Sequence, residues 1–169
     1  MTKKSIRIEA IFISPSAGVA MEEVRQAQVH QSGIAGDRYA NGQGAYSNAL
    51  PPKIRHISLI ASAGIESANQ WLSGNKGSTF SAAQTRRNIV LSNIGADELN
   101  DLMGQTFILG GITLKGVELC TPCQRPAHLL RKPNFIDAFE GRGGLRTEVL
   151  SPGIISVGDY LHLNNQDTA

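Results

Sequence analysis

The segment Leu119-Cys120-Thr121-Pro122-Cys123-Gln124-Arg125-Pro126 holds both cysteines of the chain. A β-forming run ends there and a helix-compatible stretch begins, with Pro126 tolerated in its first turn. A thiol at a helix N-terminus faces unpaired N–H groups and the positive end of the dipole. Both favour the thiolate, which is the nucleophile and the soft-metal ligand. Arg125 adds a fixed positive charge nearby. Cys123 follows proline and precedes polar residues, so it is the candidate reactive or metal-ligating sulfur. Cys120 closes an apolar run and reads equally as a small buried hydrophobe. Structural zinc is not expected, because such a site needs about four ligands. The sequence has no second Cys-x-x-Cys, and His30, His56, His128 and His162 are scattered.

Three further motifs set arginines among glycines or beside polar residues. In Gly33-Ile34-Ala35-Gly36-Asp37-Arg38 a tight turn delivers a carboxylate and a guanidinium, and glycine lets backbone N–H groups approach a ligand. The alternative is a plain glycine turn with a salt-bridged Asp37–Arg38 neighbourhood. Thr85-Arg86-Arg87-Asn88 precedes a strand, where adjacent side chains face opposite ways. One arginine can then serve a pocket and bind phosphate or carboxylate in bidentate fashion. The alternative is an ordinary edge charge pair. Gly141-Arg142-Gly143-Gly144-Leu145-Arg146 is a basic glycine-rich loop of the kind whose amides form anion-binding concavities, or else a flexible surface turn. Val157-Gly158-Asp159-Tyr160 reads as a turn into a last strand.

Short β-branched runs between glycines must position these residues. They cover Ile6 to Ile13, Arg55 to Ile60, Asn88 to Leu91, Thr106 to Leu109, Ile112 to Leu119 and Tyr160 to Leu163. Gly110-Gly111 predicts a two-residue hairpin loop. An amphipathic helix is expected from Ser62 to Trp71, with Ile65, Ala68 and Leu72 on one face and a stop near Gly74. Ala96 to Met103 predicts a short helix, with Asp97 and Glu98 against the dipole and Gly104 as its stop. A third helix is expected from after Cys123 through His128 to Leu130, until Pro133. Ala40 to Pro52 and Gly74 to Ala83 read as loops. Strands outnumber helices and the two do not alternate, which argues against a doubly wound parallel sheet. A mainly β architecture, a closed or partly closed barrel with peripheral helices, is the expectation.

The bulk properties narrow the function classes. A length of 169 residues fits one domain, since domains usually run ~100–200 residues. Charged residues make up 18% and the net charge is +2. Such balance disfavours non-specific nucleic-acid binding, which needs a dense basic face. No apolar stretch approaches the ~20 residues that span a bilayer, and no signal-peptide core follows Met1-Thr2-Lys3-Lys4. A cytoplasmic protein without nucleic-acid or membrane partners is expected.

The order of the motifs adds to what each says alone. GIAGDR, TRRNIVL, FILGGITLKGVELC, PC, GRGGLR and VGDYLHL follow one another within Ile8 to Leu163. Together they resemble the MOSC family, named for the C-terminal domain of molybdenum cofactor sulfurases, which includes stand-alone bacterial proteins and amidoxime-reducing enzymes. The resemblance implies a single MOSC domain over 1–169 with its core at about 8–163. It implies a β-barrel like the pyruvate kinase barrel domain. The family's hallmark cysteine falls on Cys123. In the molybdenum enzymes it is a metal ligand; elsewhere it was proposed to carry a persulfide. The sulfurases add an association with pyridoxal phosphate. On electrostatic grounds Gly36, Asp37, Arg38, Arg86, Arg87, Asn88, Arg142, Gly143 and Arg146 would suit the phosphate and pterin of a molybdenum cofactor.

The preferred expectation is molybdenum-cofactor binding, with N-hydroxylated compounds as substrates. No additional N-terminal barrel domain and no ferredoxin-like cysteine cluster is expected in this sequence, so a separate electron-donor protein would supply the electrons. The alternatives are a sulfur carrier, charged by a cysteine desulfurase and passing sulfur from Cys123 to an acceptor, and a non-catalytic binding module with buried cysteines. Thioredoxin-like exchange through Cys120-Thr121-Pro122-Cys123 is a further reading, weakened by the lack of a βαβ unit before it.

Overall fold

The computed structural model describes residues 5–122, 129–130 and 134–163. The strands are β1 (Arg7–Ile13), β2 (Glu22–Val24), β3 (Gln26–His30), β4 (Gly33–Ile34), β5 (Ile57–Ala61), β6 (Ile89–Ser92), β7 (Thr106–Leu109), β8 (Ile112–Leu119), β9 (Leu145–Ser151), β10 (Gly153–Ser156) and β11 (Leu161–Leu163). The helices are α1 (Ser62–Gly74), α2 (Ala96–Asn100) and α3 (Phe135–Phe139). An eight-stranded sheet runs β11-β7-β8-β9-β5-β6-β1-β2, and β10-β3-β4 form a second sheet. Only the β5–β6 pair is parallel among the described ladders. Its crossover is α1, because a parallel return needs a long connection.

The large sheet buries both faces in its middle, which follows from side-chain alternation. Leu59 and Ala61 of β5 and Ile89 and Leu91 of β6 enter an inner core with Phe107, Leu114, Leu145 and Val149. Ile60 and Val90, between them in sequence, enter an outer core under α1 and α3. Ile65, Ala68 and Leu72 are the buried stripe of α1, as their spacing predicts. Phe135 and Phe139 of α3 stack at 4.6 Å, and Phe80 closes on both at 5.2 and 5.6 Å.

The Gly110-Gly111 loop joins β7 to β8 with Leu109 opposite Ile112. Gly110 has φ 57°, the left-handed region that such two-residue turns demand. The α2 helix is shorter than expected, ending at Asn100 before turns lead to Gly104. The helix expected after Cys123 falls mostly outside the described residues. The short strands β2, β3, β4 and β10 are additions. β9 is a correction: Leu145 and Arg146 open a strand rather than end a loop. Leu145, Thr147 and Val149 face inward there, but Arg146 and Glu148 between them make the sequence read as polar.

No ladder among the described residues closes the large sheet into a barrel. Its ends are brought together by the Arg7–Tyr160 bridge and by backbone bonds. The Ile8 N–H donates to the Asp159 carbonyl at 2.8 Å, and the Leu161 N–H to that of Ile6 at 2.9 Å. The reason is the length of β2, which covers only Ile11 to Ile13 of β1 and leaves the start of that strand for the segment leading into β11.

Candidate functional site

Five arginines from four separate segments line one cavity: Arg38 after β4, Arg55 before β5, Arg86 and Arg87 before β6, and Arg146 in β9. Tyr39, Ile57, Ser58 and Asn88 complete its described lining, and the cavity encloses about 310 Å³ including its mouth. No carboxylate is among the described lining residues.

Three of the five guanidinium groups, those of Arg38, Arg86 and Arg87, donate to backbone carbonyls. Asp37 is fully buried. Its Oδ1 accepts from Arg38 Nη1 at 3.1 Å and from the Ser14 N–H at 3.2 Å. Arg38 Nη2 donates to the Arg86 carbonyl at 3.0 Å. That bond helps hold Arg86 at φ 62°, a conformation few side chains accept without support. Arg86 Nη1 reaches the Val19 carbonyl at 2.8 Å, and Arg87 Nε reaches the Gly143 carbonyl at 2.7 Å. Burial lowers the affinity of Arg38 for its proton, with Arg87 nearby acting the same way and Asp37 opposing. An arginine remains charged even so. Arg55 stacks its guanidinium 4.4 Å from the Tyr46 ring. Its Nε and Nη1 are buried without a hydrogen-bond partner among the described residues. Buried donors normally have acceptors, and these two are the cavity's unengaged donors among the buried side-chain atoms described.

Not all expected site residues meet here. Asp37 sits behind Arg38 as its anchor, and Gly36 supplies the turn at φ 88°; neither lines the cavity. Asn88 borders it with its amide already engaged: Oδ1 accepts from the Ser58 N–H at 3.1 Å and Nδ2 donates to the Phe12 carbonyl at 3.1 Å. It ties β1, β5 and β6 together. Arg142 is outside the cavity lining and donates Nη1 to the Ala138 carbonyl at 2.8 Å, finishing α3. The 141–146 stretch is not an open nest of amides. Gly143 and Gly144 are buried, Gly143 is packed so closely on the Cys120 carbonyl that a Cβ would collide with it, and only Arg146 reaches the cavity.

Cys123 lies outside the described residues. Cys120 is 3% exposed, and its N–H donates to the Gly144 carbonyl at 2.8 Å. It is a buried strand-end residue. The strand it ends, β8, is antiparallel to both neighbours, unlike the parallel setting of a thioredoxin-type motif. No cluster of three or more His, Cys, Asp or Glu side chains suited to a metal occurs among the described residues. No described helix is long and apolar enough to cross a membrane. Tyr39 and Arg55 are site residues that sequence reasoning missed. Arg55 carried a faint signal, a cation heading a run that is otherwise core.

Solved structures share this fold. The YuaD protein from Bacillus subtilis superposes with a TM-score of 0.74 at 19% identity, covering 93% of this chain and 94% of that one. YiiM from Geobacillus stearothermophilus gives 0.70 at 17% identity, over 97% of this chain and 77% of that one. YiiM from Escherichia coli gives 0.66 at 14% identity, over 98% and 71%. No curated protein matches the sequence. The family model described as the MOSC domain matches residues 50–162, which takes in four of the five cavity arginines. The chain belongs to the MOSC domain family, a family associated with molybdenum cofactor binding.

Proposed function

We propose that the arginine cavity holds the anionic end of a molybdenum cofactor and that Cys123 supplies the thiolate ligand to its metal. The observation that carries this reading is Arg55, whose buried Nε and Nη1 lack acceptors in a cavity lined by four more arginines. Phosphate accepts such donors in charge-assisted bonds, and soft thiolate suits a high-valent transition metal. Pro122, the residue before Cys123, lies near the backbone of Gly143, whose carbonyl is bonded by Arg87 of the cavity.

When bound, such a cofactor supplies the redox centre. The chain's own residues would grip its phosphate, fix its orientation through Asp37-anchored Arg38, and exclude competing cations by charge. N-hydroxylated bases or amidoximes are the substrate class we assign, reduced at the N–O bond with an electron pair from a separate electron-donor protein, two protons taken up and water released. The burial of Cys120 disfavours a dithiol mechanism.

The test is metal and pterin analysis after co-expression with cofactor synthesis. Wild type should carry molybdenum and pterin. Cys123→Ser should lose the metal. Arg87→Ala should weaken cofactor retention roughly ten- to hundredfold, the effect of losing a charge-assisted bond of about 1.5–3 kcal/mol. Wild type without either component, or Cys123→Ser with undiminished molybdenum, would overturn the reading. A sulfur atom added to Cys123 in intact mass, without molybdenum, would point instead to sulfur transfer.

A further inference from the structure

A second cavity adjoins the first and shares Arg55 and Tyr39 with it. It encloses about 400 Å³ including its mouth, and Tyr46, Ser47, Lys53 and His56 also line it. No carboxylate is among its described lining residues. Two of its polar groups have capacity to spare. Arg55 leaves Nε and Nη1 without acceptors. His56 Nδ1 accepts the Val149 N–H at 3.0 Å, which leaves the proton of the neutral ring on Nε2. That nitrogen has no partner among the described residues. Burial holds the ring below its ordinary pKa, with Glu148 opposing, so the Nε2 proton is a neutral donor. Lys53 is half exposed and pairs with Glu118 at 3.6 Å, a carboxylate that also meets Arg146 of the first cavity at 3.7 Å.

We propose that this second cavity is an oxyanion site beside the first, which takes the carboxylate or phosphate group of a small ligand on Lys53 and the His56 Nε2–H, two polar groups that line it and not the first cavity. Cations and a neutral donor line this cavity without a lining carboxylate, and the tyrosine rings give a flat wall for an attached apolar group. Glu118 draws Lys53 away from the ligand, so removing that carboxylate strengthens binding. Arg55 and Tyr39 form the wall between the two cavities, and Lys53 and His56 define the second site.

The probes are inorganic phosphate and benzoate, titrated into the full-length protein while the His56 ring protons are followed by NMR. His56→Gln identifies the resonance by its disappearance. A saturable shift is expected. Lys53→Ala should weaken it about tenfold, Glu118→Gln should tighten it several-fold, and Arg87→Ala in the other cavity should leave it unchanged. Tighter binding of benzoate assigns an organic carboxylate, and tighter binding of phosphate a phosphoryl group. Absence of a saturable shift with both probes, or equal shifts in wild type and a folded Lys53→Ala, would overturn the proposal. Molybdenum content reports on the first cavity alone, so the two readings fail separately.

Discussion

Asp37 shows how a turn motif becomes part of a site without touching a ligand. Its carboxylate is fully buried and paired with Arg38, itself only 7% exposed. Deleting one partner of a buried pair strands the other charge, at a cost of about 3–5 kcal/mol. Asp37→Ala should therefore lower the urea unfolding free energy by that amount. It should also lower cofactor retention, because Arg38 would no longer be braced against the Arg86 carbonyl. Arg146→Ala, at the partly exposed end of the cavity, should keep the fold and lose cofactor retention alone. Equal unfolding curves for Asp37→Ala and wild type would refute the bracing role. The glycine turn drew attention to Arg38, and the position just before a strand to Arg86 and Arg87; all three line the cavity. Tyr39 and Arg55 were not legible. Their roles arise from a cavity assembled by segments far apart in sequence, and no local pattern encodes that.

At the level of elements, the junction of β8, the 141–144 turn and β9 carries the site. Gly144 has φ 101° and packs so tightly on Leu59 that a Cβ would collide with its carbonyl oxygen. Gly143 is equally constrained against Cys120. Gly144→Ala combines a strained backbone with a steric clash, and it should destabilise the fold by about 2 kcal/mol or more. Because Gly143 also accepts from Arg87, the same variant should retain the cofactor more weakly even when folded. The glycines were read as an anion nest, yet their freedom serves close strand packing. Sequence alone cannot separate these uses, because both select the residue without a side chain. α3 is the other case. Phe135 and Phe139 lie on one face of a five-residue helix, too short for periodicity to declare, and their partner Phe80 is distant in sequence. Phe139→Ala should cost about 3–5 kcal/mol, read as a lower thermal midpoint. A loss under about 1 kcal/mol would mean the aromatic cluster does not anchor α3.

Across the whole molecule, the mainly β character and the short-strand pattern were legible because inward apolar residues recur between turns. The expected barrel is not closed by any described ladder; the sheet's ends meet through backbone bonds between the start of β1 and the approach to β11, which no local sequence pattern encodes. The scattered histidines looked uninformative, but the fold gives His56 a global consequence. Its ring lies below the ordinary histidine pKa, burial being the main cause. The unfolded ring titrates near ~6.5, so the unfolded chain binds more protons as the solution becomes acidic. Stability then rises with pH across that interval. The His56 contribution is complete above pH ~7 and is lost as pH falls through ~6.5 toward the folded value. Carboxylates titrate lower, near ~4, and do not confuse the interval. The urea midpoint of wild type should fall between pH ~7.5 and ~5.5, and His56→Gln should flatten much of that slope. An oxyanion bound at Nε2 favours the charged ring, so saturating benzoate or phosphate should flatten it too. A slope that persists unchanged in His56→Gln would show that another group sets the acid limit of the fold.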